Sequence, residues 1–386
     1  MKFRRRIKVA LLDIDRRETL RKYDLERPIF GTAQTALIQG LAELKDVEVH
    51  LVSCIQEPAQ AEHQLAENIR SYSLYVPKIG WMRTLYQGCV RSVRRKLREI
   101  QPDVVHGQGT ERDCALSAVL SGFPNVLTIH GNMRRVAAAK KARPFTFYWI
   151  AALLETFAVR RTNGIICISE YTRRLVNHET KRTWLVPNAV DPSFFDVARQ
   201  FSSECRLLVP ATICNHKNQN QLIRALDPLA LNFRFRLDFV GDYVNGDPYA
   251  KEFFELISVR PWCSFGGYAS RDDLKKALSF CSAMILPSIE DNCPMVILEA
   301  AAAGVSTIGS RIGGIPGLIT EDETGLLFNP TDVESIRHAV ERILKLPELG
   351  LRLGRNARKK AQELHMPLQI AGRHLEIYRE IASPRS

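Results

Sequence analysis

Short apolar runs rich in β-branched residues alternate with longer segments of helical spacing along nearly the whole chain. The runs predict strands of a first sheet at 8–14, 47–53, 104–106, 125–130, 164–168 and 183–186, and of a second sheet at 206–209, 235–241, 283–287 and 306–308. Helical spacing occupies the intervening segments 32–44, 219–226, 271–280 and 331–344. Strand–helix alternation favours parallel sheets with helices on both faces, so the predicted fold class is α/β with doubly wound sheets.

The alternation breaks once, between Asp191 and Cys205. A chain of 386 residues is long enough for two domains on the usual size scale. We therefore predict a first domain over 1–191, a linker over 192–204 and a second domain over 205–367. A further helical pattern follows in the last segment, 368–386.

Composition narrows the classes of protein to be considered. Lysine and arginine outnumber aspartate and glutamate by 54 to 42, and the net charge of +12 indicates a polyanionic partner such as a phosphorylated substrate or an anionic lipid. No nucleic-acid-binding motif accompanies this charge, so no nucleic acid partner is expected. The nine cysteines stand singly, which argues against a zinc site or a disulfide framework and fits a reducing compartment. No run reaches the ~18 apolar residues that a membrane-spanning helix requires.

The segment 287–304 carries the strongest chemical signal. Asp291 and Glu299 are separated by seven residues, and a helix start is predicted between them, with Pro294 at the first helical position and Asn292 as the cap. The first amides of such a helix are unpaired and attract phosphate. These amides are those of Met295, Val296 and Ile297. The alternative is an ordinary buried helix whose acids are exposed by chance.

The same segment resembles the signature of retaining glycosyltransferase family 4, which pairs two acids at this spacing and ends in Glu-Ala-x-Ala-x-Gly. Further motifs of the family follow in the family's order: Val186-Pro187-Asn188-Ala189-Val190-Asp191, Lys217-Asn218-Gln219, Phe239-Val240-Gly241-Asp242, Gly313-Gly314-Ile315-Pro316 and the hairpin Thr324-Gly325-Leu326-Leu327-Phe328. The resemblance implies the GT-B fold, in which two Rossmann-like doubly wound domains face each other. It also implies that the helix 368–386 crosses back onto the first domain.

The resemblance further implies a retaining, metal-independent transferase that moves a sugar from a nucleotide-sugar donor to a glycan or lipid-linked acceptor in polysaccharide or glycoconjugate biosynthesis. No cofactor is expected, because lysine or arginine side chains and helix amides can meet the charge that develops on the leaving diphosphate. Lys217 matches the family's phosphate-binding lysine, and Asp291 matches the acid that contacts the transferred sugar. Glu299 matches the acid that bonds the ribose hydroxyls. His130 ends a predicted strand and matches a position beside the transferred sugar.

Several positions depart from the family pattern. Thr212 stands where the family often has an arginine, and Asp291 is one methylene shorter than the usual glutamate. Gly31 is a single glycine where the family often has two near the donor phosphates, and Gly317 replaces a frequent glutamate. The predicted donor-binding residues are Glu299, Met295, Val296, Ile297, Gly31, Gly313, Gly314 and Thr212.

Two other functions fit the same residues. A sugar-nucleotide epimerase with the GT-B fold would act on its donor without an acceptor. A non-catalytic glycosyltransferase-like protein would bind the donor without turnover, and the departures at Thr212, Asp291 and Gly317 make this conceivable.

A basic and apolar segment bears on where the protein works. The aromatic-rich run 147–154 is followed by Arg160-Arg161 and preceded by Arg134, Arg135, Lys140, Lys141 and Arg143. This pattern is typical of a helix that lies in a membrane interface, where each basic residue near an anionic surface adds ~1 kcal/mol. The alternative is a core helix with solvated ends. We favour a cytoplasmic protein attached peripherally to the inner face of the membrane.

Overall fold

A computed structural model describes residues 5–59, 62–200 and 204–383 of the chain. Contacts between Cα atoms divide it into two compact units, one formed by Met1–Ala189 with Pro367–Ser386 and the other by Val190–Met366. Residues 201–203 of the predicted linker and 384–386 of the predicted last helix lie outside the described residues.

The first unit is built on an eight-stranded sheet. Its strands are β1 (Ile7–Leu12), β2 (Val47–Ile55), β3 (Glu62–Ala66), β4 (Ile69–Tyr75), β5 (Val104–Gln108), β6 (Asn125–Ile129), β7 (Ile165–Cys167) and β8 (Thr183–Leu185). Across the sheet the order is β3-β4-β2-β1-β5-β6-β7-β8, and all neighbours are parallel except the antiparallel pair β3 and β4. Every residue of β5 and β6 is buried, as is typical of parallel strands covered on both faces.

Helices cover both faces of this sheet. They are α1 (Arg16–Leu20), α2 (Thr32–Ala42), α3 (Gln87–Ile100), α4 (Asp113–Val119), α5 (Met133–Ala139), α6 (Phe147–Arg161) and α7 (Glu170–Val176). Because side chains alternate along a strand, Val9 and Leu11 of β1 join one core with α2, whereas Ala10 and Leu12 join another. That second core contains side chains of α3, α4 and α6, so these three helices lie on the same face of the sheet.

The second unit is a six-stranded, fully parallel sheet. Its strands are β9 (Cys205–Pro210), β10 (Phe235–Val240), β11 (Cys263–Phe265), β12 (Ala283–Leu286), β13 (Thr307–Ser310) and β14 (Gly325–Phe328). Its helices are α8 (Gln219–Ala230), α9 (Pro248–Ser258), α10 (Arg271–Phe280), α11 (Met295–Ala302), α12 (Val333–Lys345) and α13 (Pro347–Leu364). The spatial order β11-β10-β9-β12-β13-β14 reverses direction between β9 and β12, and ligands of doubly wound sheets bind at the carboxyl ends of the strands at such a switch point.

The last helix, α14 (Pro367–Ala382), belongs to the first unit. Its apolar side chains Ile370, Leu375, Ile377 and Tyr378 are buried in the core that α2 and β1 also form. The predicted return of the last helix to the first domain is therefore confirmed.

The predicted strands and helices are present, with ends that shift by a few residues, and four strands were missed. β3 and β4 form an edge hairpin with many polar side chains, and β11 has only three residues. The segment Gly325–Phe328 runs parallel to β13, so the hairpin expected there is wrong. Within the predicted linker, Asp191 caps a 3-10 turn at Pro192–Phe194, and Phe194 is fully buried in the core of the second unit.

Candidate functional site

The residues singled out in the second half of the sequence come together at the switch point of the second sheet. One loop follows β9 and holds Lys217, and the other follows β12 and holds Asp291. The two loops are joined by the amide of Ile289, which donates to the carbonyl of His216 at 2.9 Å. The ammonium of Lys217 donates to Oδ2 of Asp291 at 2.5 Å, across 74 residues of sequence. The strand order therefore places a cation and an acid at the carboxyl edge of the sheet.

The backbone around Lys217 is fixed on both sides. Asn215–Lys217 form a 3-10 turn, and Asn218 ends it in the left-handed conformation at φ 58° before α8 begins. The side chain of Asn218 donates to the carbonyl of Pro330 at 3.0 Å, which holds the turn against the segment before α12. The side chains of Lys217 and Asp291 are 19% and 16% exposed, so this pair is shielded but still open to a ligand.

Asp291 is held by the glycine loop as well as by Lys217. Its carbonyl accepts a hydrogen bond from the amide of Gly314 at 3.0 Å. Gly313 has φ +58°, and a Cβ built there would lie 2.0 Å from the carbonyl oxygen of Asp291. Only glycine fits at that distance and in that conformation. The predicted diglycine segment thus packs its backbone directly against the predicted sugar-binding acid.

The start of α11 differs from the prediction. Pro294 is the cap rather than the first helical residue, and its ψ of 115° keeps it outside the helix, so the prediction of Asn292 as the cap is wrong. The amide of Ile297 donates to the carbonyl of Pro294 at 3.1 Å, so the prediction of an unpaired amide at Ile297 is wrong. The amides of Met295 and Val296, which have no partner within a helix that starts here, lie at its open end.

Glu299 lies inside α11 with its side chain only 1% exposed. One carboxylate oxygen, Oε1, accepts from the guanidinium of Arg271, and the other, Oε2, has no hydrogen-bond partner among the described residues. Burial raises the pKa of Glu299 above its usual range, and the neighbouring Arg271 opposes that rise. A buried carboxylate with one unsatisfied oxygen is costly unless a ligand or water completes it.

Arg271 is the residue of this site that sequence reasoning missed. Besides Glu299, its guanidinium lies 3.7 Å from Oδ2 of Asp191 and 4.5 Å from the centre of the Phe194 ring. Ser270 and Asp273 form a capping box, so Arg271 occupies the first position of α10. A cation is unfavourable at a helix N-terminus. The Ser-Arg-Asp-Asp sequence therefore contained a signal that this arginine needs acidic partners elsewhere.

Thr212 lies in the loop between β9 and Lys217, where its side chain brings no charge. Its backbone carbonyl accepts from the side-chain amide of Gln219 at 2.9 Å, which ties the loop to the first turn of α8. Gly241 approaches the same loop closely, because a Cβ built on it would lie 2.1 Å from the carbonyl oxygen of Ala211. Thr212 thus belongs to a loop whose backbone is set by its neighbours.

Two predicted site residues belong to the first unit. Gly31 is the cap of α2, and its carbonyl accepts from the amide of Thr35 at 2.8 Å. Nε2 of His130, which directly follows β6, donates to Oε1 of Gln108 at 2.7 Å. Burial, followed by the nearby His374, lowers the pKa of His130 to about 4. His130 is therefore a neutral imidazole near pH 7.

One group of three potential metal ligands occurs among the described residues, in the core of the first unit. The ligand atoms of Cys54, Cys89 and Asp113 lie within 4.8 Å of one another, and all three residues are buried. A hydrogen bond with Cys89, together with burial, raises the pKa of the Cys54 thiol, and burial raises that of Asp113. A metal would have to displace protons from these groups, since ligands bind metals in their deprotonated forms.

The basic segment before α6 and the helix itself contain both buried and exposed residues. Ala151, Glu155 and Ala158 of α6 are buried, whereas Phe145 is 83% and Leu153 is 51% exposed. Not all of the basic residues are available to a partner, because Arg134 pairs with Glu155 and with Glu179. Within the described part of the chain, no helix is both long enough and apolar enough to cross a membrane.

Solved structures identify the class of this fold. Sucrose-phosphate synthase from Thermosynechococcus elongatus superposes with a TM-score of 0.74 at 19% identity, over 97% of this chain and 99% of that one. An Anabaena protein, Alr3699/HepE, solved in complex with UDP, superposes with a TM-score of 0.70 at 16% identity, over 97% of this chain and 100% of that one. With two Rossmann-like units and a site at a switch point, the fold is of the GT-B class.

Matches to two family models assign the chain to a family. Residues 32–194 match the family described as Glycosyltransferase Family 4, and residues 195–360 match Glycosyl transferases group 1. The chain belongs to glycosyltransferase family 4.

Two curated relatives are more similar in sequence than these solved structures, but each match covers less of the chain. The MMP alpha-(1->4)-mannosyltransferase of Mycolicibacterium hassiacum is 25% identical over 289 residues, which is 72% of this chain and 70% of that protein. The sulfoquinovosyl transferase SQD2 of Arabidopsis thaliana is 32% identical over 131 residues, 33% of this chain, so the match spans only 25% of that relative's length.

Proposed function

We propose that the protein is a retaining glycosyltransferase that moves a sugar from a nucleotide-sugar donor to a glycan or lipid-linked acceptor. The observation that carries this proposal is the half-satisfied carboxylate of Glu299, which is buried with Oε2 unpartnered while Arg271 holds Oε1. A ribose presents vicinal hydroxyl donors, and such a pair could complete this oxygen. Buried polar atoms are seldom left without a partner in functional proteins.

The donor's diphosphate is the group that Lys217 would receive. Its ammonium lies on the same edge of the sheet as the open end of α11, and both favour negative charge. Charge develops on the diphosphate as the glycosidic bond breaks, so a preorganised cation stabilises the transition state more than the ground state. The UDP bound to the Anabaena protein of the same fold accords with a nucleoside diphosphate as the leaving group.

Asp291 would then contact hydroxyls of the transferred sugar. Its Oδ2 accepts hydrogen bonds from Lys217 and, at 3.3 Å, from the hydroxyl of Ser288. A diphosphate competes for Lys217, and this releases one carboxylate oxygen of Asp291 for a sugar hydroxyl. The backbone carbonyl of Asp291 accepts a hydrogen bond from the glycine loop, and this contact holds the shorter aspartate in place.

Retention of anomeric configuration requires no protein nucleophile in this proposal. The oxygen of the leaving phosphate accepts the proton of the acceptor hydroxyl on the same face of the sugar as the new bond forms. The two acids therefore act as binding groups, in contrast to the paired carboxylates of glycoside hydrolases. Neither a metal nor another cofactor has a role in these steps.

A panel of UDP-, GDP- and ADP-sugars tests this function against its alternatives. Slow hydrolysis or transfer to an added glycan, with release of the nucleotide, is the expected result. A changed sugar without nucleotide release would identify an epimerase, and saturable binding without turnover a non-catalytic protein. The anomeric coupling constant of the product, read by NMR, tests retention, and an undiminished rate in the presence of a chelator tests metal independence.

Peripheral attachment to an anionic membrane is the second half of the proposal. The exposed Phe145 and Leu153 flank the aromatic start of α6, and the exposed basic residues Lys140, Lys141 and Arg143 precede it. Apolar side chains among basic ones suit the interface of an anionic bilayer, which would bring the enzyme to a lipid-linked acceptor. Flotation with anionic vesicles at low and moderate salt tests this, and a protein that stays at the bottom of both gradients refutes it.

A further inference from the structure

The outer face of α3 is a stripe of arginines. Arg91, Arg94, Arg95 and Arg98 are all exposed, and their spacing of three and four residues places them on one side of the helix. The opposite side is apolar and buried, and it includes Val90, Val93 and Leu97. The stripe is therefore a single continuous basic surface on a well-anchored helix.

The four arginines have no acidic partners in the part of the chain that the structure describes. Within residues 5–59, 62–200 and 204–383, none of their guanidinium groups forms an ion pair, whereas the adjacent Lys96 pairs with Glu99. Like charges three and four residues apart repel one another and destabilise an isolated helix. A surface helix selected for stability alone would alternate the sign of its charges. The uniform sign indicates that an anionic partner meets this face.

Exposed apolar side chains also lie at the end of β4 and in the loop between β4 and α3. Ile79 is 72%, Tyr75 52% and Leu85 47% exposed. The loop is anchored by the buried rings of Trp81 and Tyr86, and the indole N–H of Trp81 donates to the carbonyl of Val76 at 2.9 Å.

The loop is also held in an unusual backbone conformation. Leu85 and Tyr86 have φ of 50° and 60°, values that L residues adopt only under constraint, so Leu85 is held outward at some energetic cost. Lys78 and Arg83, both exposed, lie between these apolar residues.

We infer that α3 and the loop 75–85 form a docking surface for an anionic lipid bilayer. Arginines bind the phosphate of lipid headgroups, and the aliphatic Ile79 and Leu85 enter the apolar boundary below them. Nucleic acid offers phosphates too, and single-stranded chains are bound by stacking on aromatic rings, but apart from Tyr75 the exposed apolar residues, Ile79 and Leu85, are aliphatic and do not stack. The exposed apolar residues therefore favour lipid.

This inference rests on the membrane half of the proposed function but uses a different surface from α6. Because α3, α4 and α6 cover the same face of the first sheet, an approaching bilayer could contact the outer sides of α3 and α6 together. The arginine stripe places its four charges on one side of a single helix, so we assign it a large share of the electrostatic attraction.

The test is flotation with vesicles of two parts phosphatidylcholine to one part phosphatidylglycerol. The variant Arg91→Gln/Arg94→Gln/Arg95→Gln should lose about 100-fold in partition coefficient, since each basic residue contributes about fivefold near an anionic surface. The matched control removes three exposed basic residues from a helix of the second unit, Arg352→Gln/Arg355→Gln/Lys359→Gln on α13, and should lose much less. Ile79→Ser should lose about tenfold, a loss that added salt does not remove.

Each outcome bears on a separate claim. If the α3 variant floats as well as the α13 control, the inference is wrong. If Phe145→Ser/Leu153→Ser abolishes flotation while the α3 variant does not, the inference fails and membrane attachment through α6 stands. If the wild-type protein does not float at all, both the membrane half of the proposed function and this inference fail.

A competition experiment with polyuridylate tests the alternative of nucleic acid. If polyuridylate abolishes vesicle binding and the α3 variant loses affinity for the polynucleotide, the stripe binds nucleic acid and the inference is wrong. Unchanged thermal unfolding of the variants excludes misfolding as the cause.

Discussion

Removing Arg271 tests whether Glu299 is held as a buried charge. Truncating one partner of a fully buried ion pair costs about 3–5 kcal/mol, because the other charge is left uncompensated. Glu299 is 1% exposed but Arg271 is 35% exposed, so water can reach the carboxylate through the space that the guanidinium leaves. We therefore expect Arg271→Ala to cost about 2 kcal/mol, near the penalty for an unsatisfied buried acceptor. For a unit the size of Val190–Met366, this lowers the unfolding temperature by about 4–8 °C.

The pH dependence of this loss follows from the pKa of Glu299. Burial already raises that pKa in the folded protein, and Arg271 opposes the rise, so the variant should have a still higher value. An acid with a raised folded pKa stabilises the fold in its protonated form, and that stability is lost as the pH rises through the folded pKa. The difference between variant and wild type should therefore be larger at a neutral pH than at an acidic pH.

The assay is thermal unfolding at both pH values, with two further variants. Arg271→Ala/Glu299→Gln should recover part of the loss at the higher pH, because a neutral amide needs no counter-ion. Arg224→Ala is the control, since its pair with Glu252 is about half exposed and such pairs contribute little. An equal loss at both pH values with no recovery in the double variant would show that Arg271 acts by packing on Phe194 rather than through Glu299.

Three further predictions concern the site. Lys217→Ala should lower turnover by on the order of 10²-fold, as for the loss of one transition-state donor, and Asp291→Asn should lower turnover without weakening UDP binding; near-normal kinetics in both would refute the site. Gly313→Ala should lower the rate strongly because its Cβ would lie 2.0 Å from the carbonyl of Asp291, whereas Gly317→Ala, with open space around its Cβ, should not; equal rates would contradict this. The imidazole of His130, with its pKa lowered to about 4, should show no titration in NMR spectra between about pH 5.5 and pH 8, and a midpoint near the usual histidine value would disprove a buried neutral ring.

The sequence predicts the fold well because its signals are local and repeated. Parallel strands such as β5, β6 and β12 are short buried runs between helices, and that pattern survives without any tertiary information. The missed strands β3 and β4 pair through backbone hydrogen bonds at the sheet edge, where the side chains need not be apolar. Element ends are also set by tertiary contacts, as at α11, where Pro294 caps the helix that it was expected to begin.

The site is predicted in part, for a reason that lies in the topology. Lys217 and Asp291 follow strands β9 and β12, and the carboxyl ends of neighbouring parallel strands share one edge, so their proximity could be anticipated. Arg271 follows β11, a three-residue strand that the sequence did not predict. It reaches Glu299 from the start of α10, 28 residues away along the chain, and no spacing rule links those two positions.

The two acids of the site share one feature, which is a paired cation. Asp291 is neutralised by Lys217 and Glu299 by Arg271, so each acid already has a cation of the chain beside it. The pairs differ in what a ligand would do to them. Lys217 and Asp291 are both partly exposed, and a diphosphate would take the lysine while a sugar hydroxyl takes the freed acid. Arg271 and Glu299 would stay together, because Oε2 is the only carboxylate oxygen of Glu299 that lacks a partner among the described residues. The proposed donor would therefore exchange one internal ion pair for contacts of its own and complete the hydrogen bonding of the other acid.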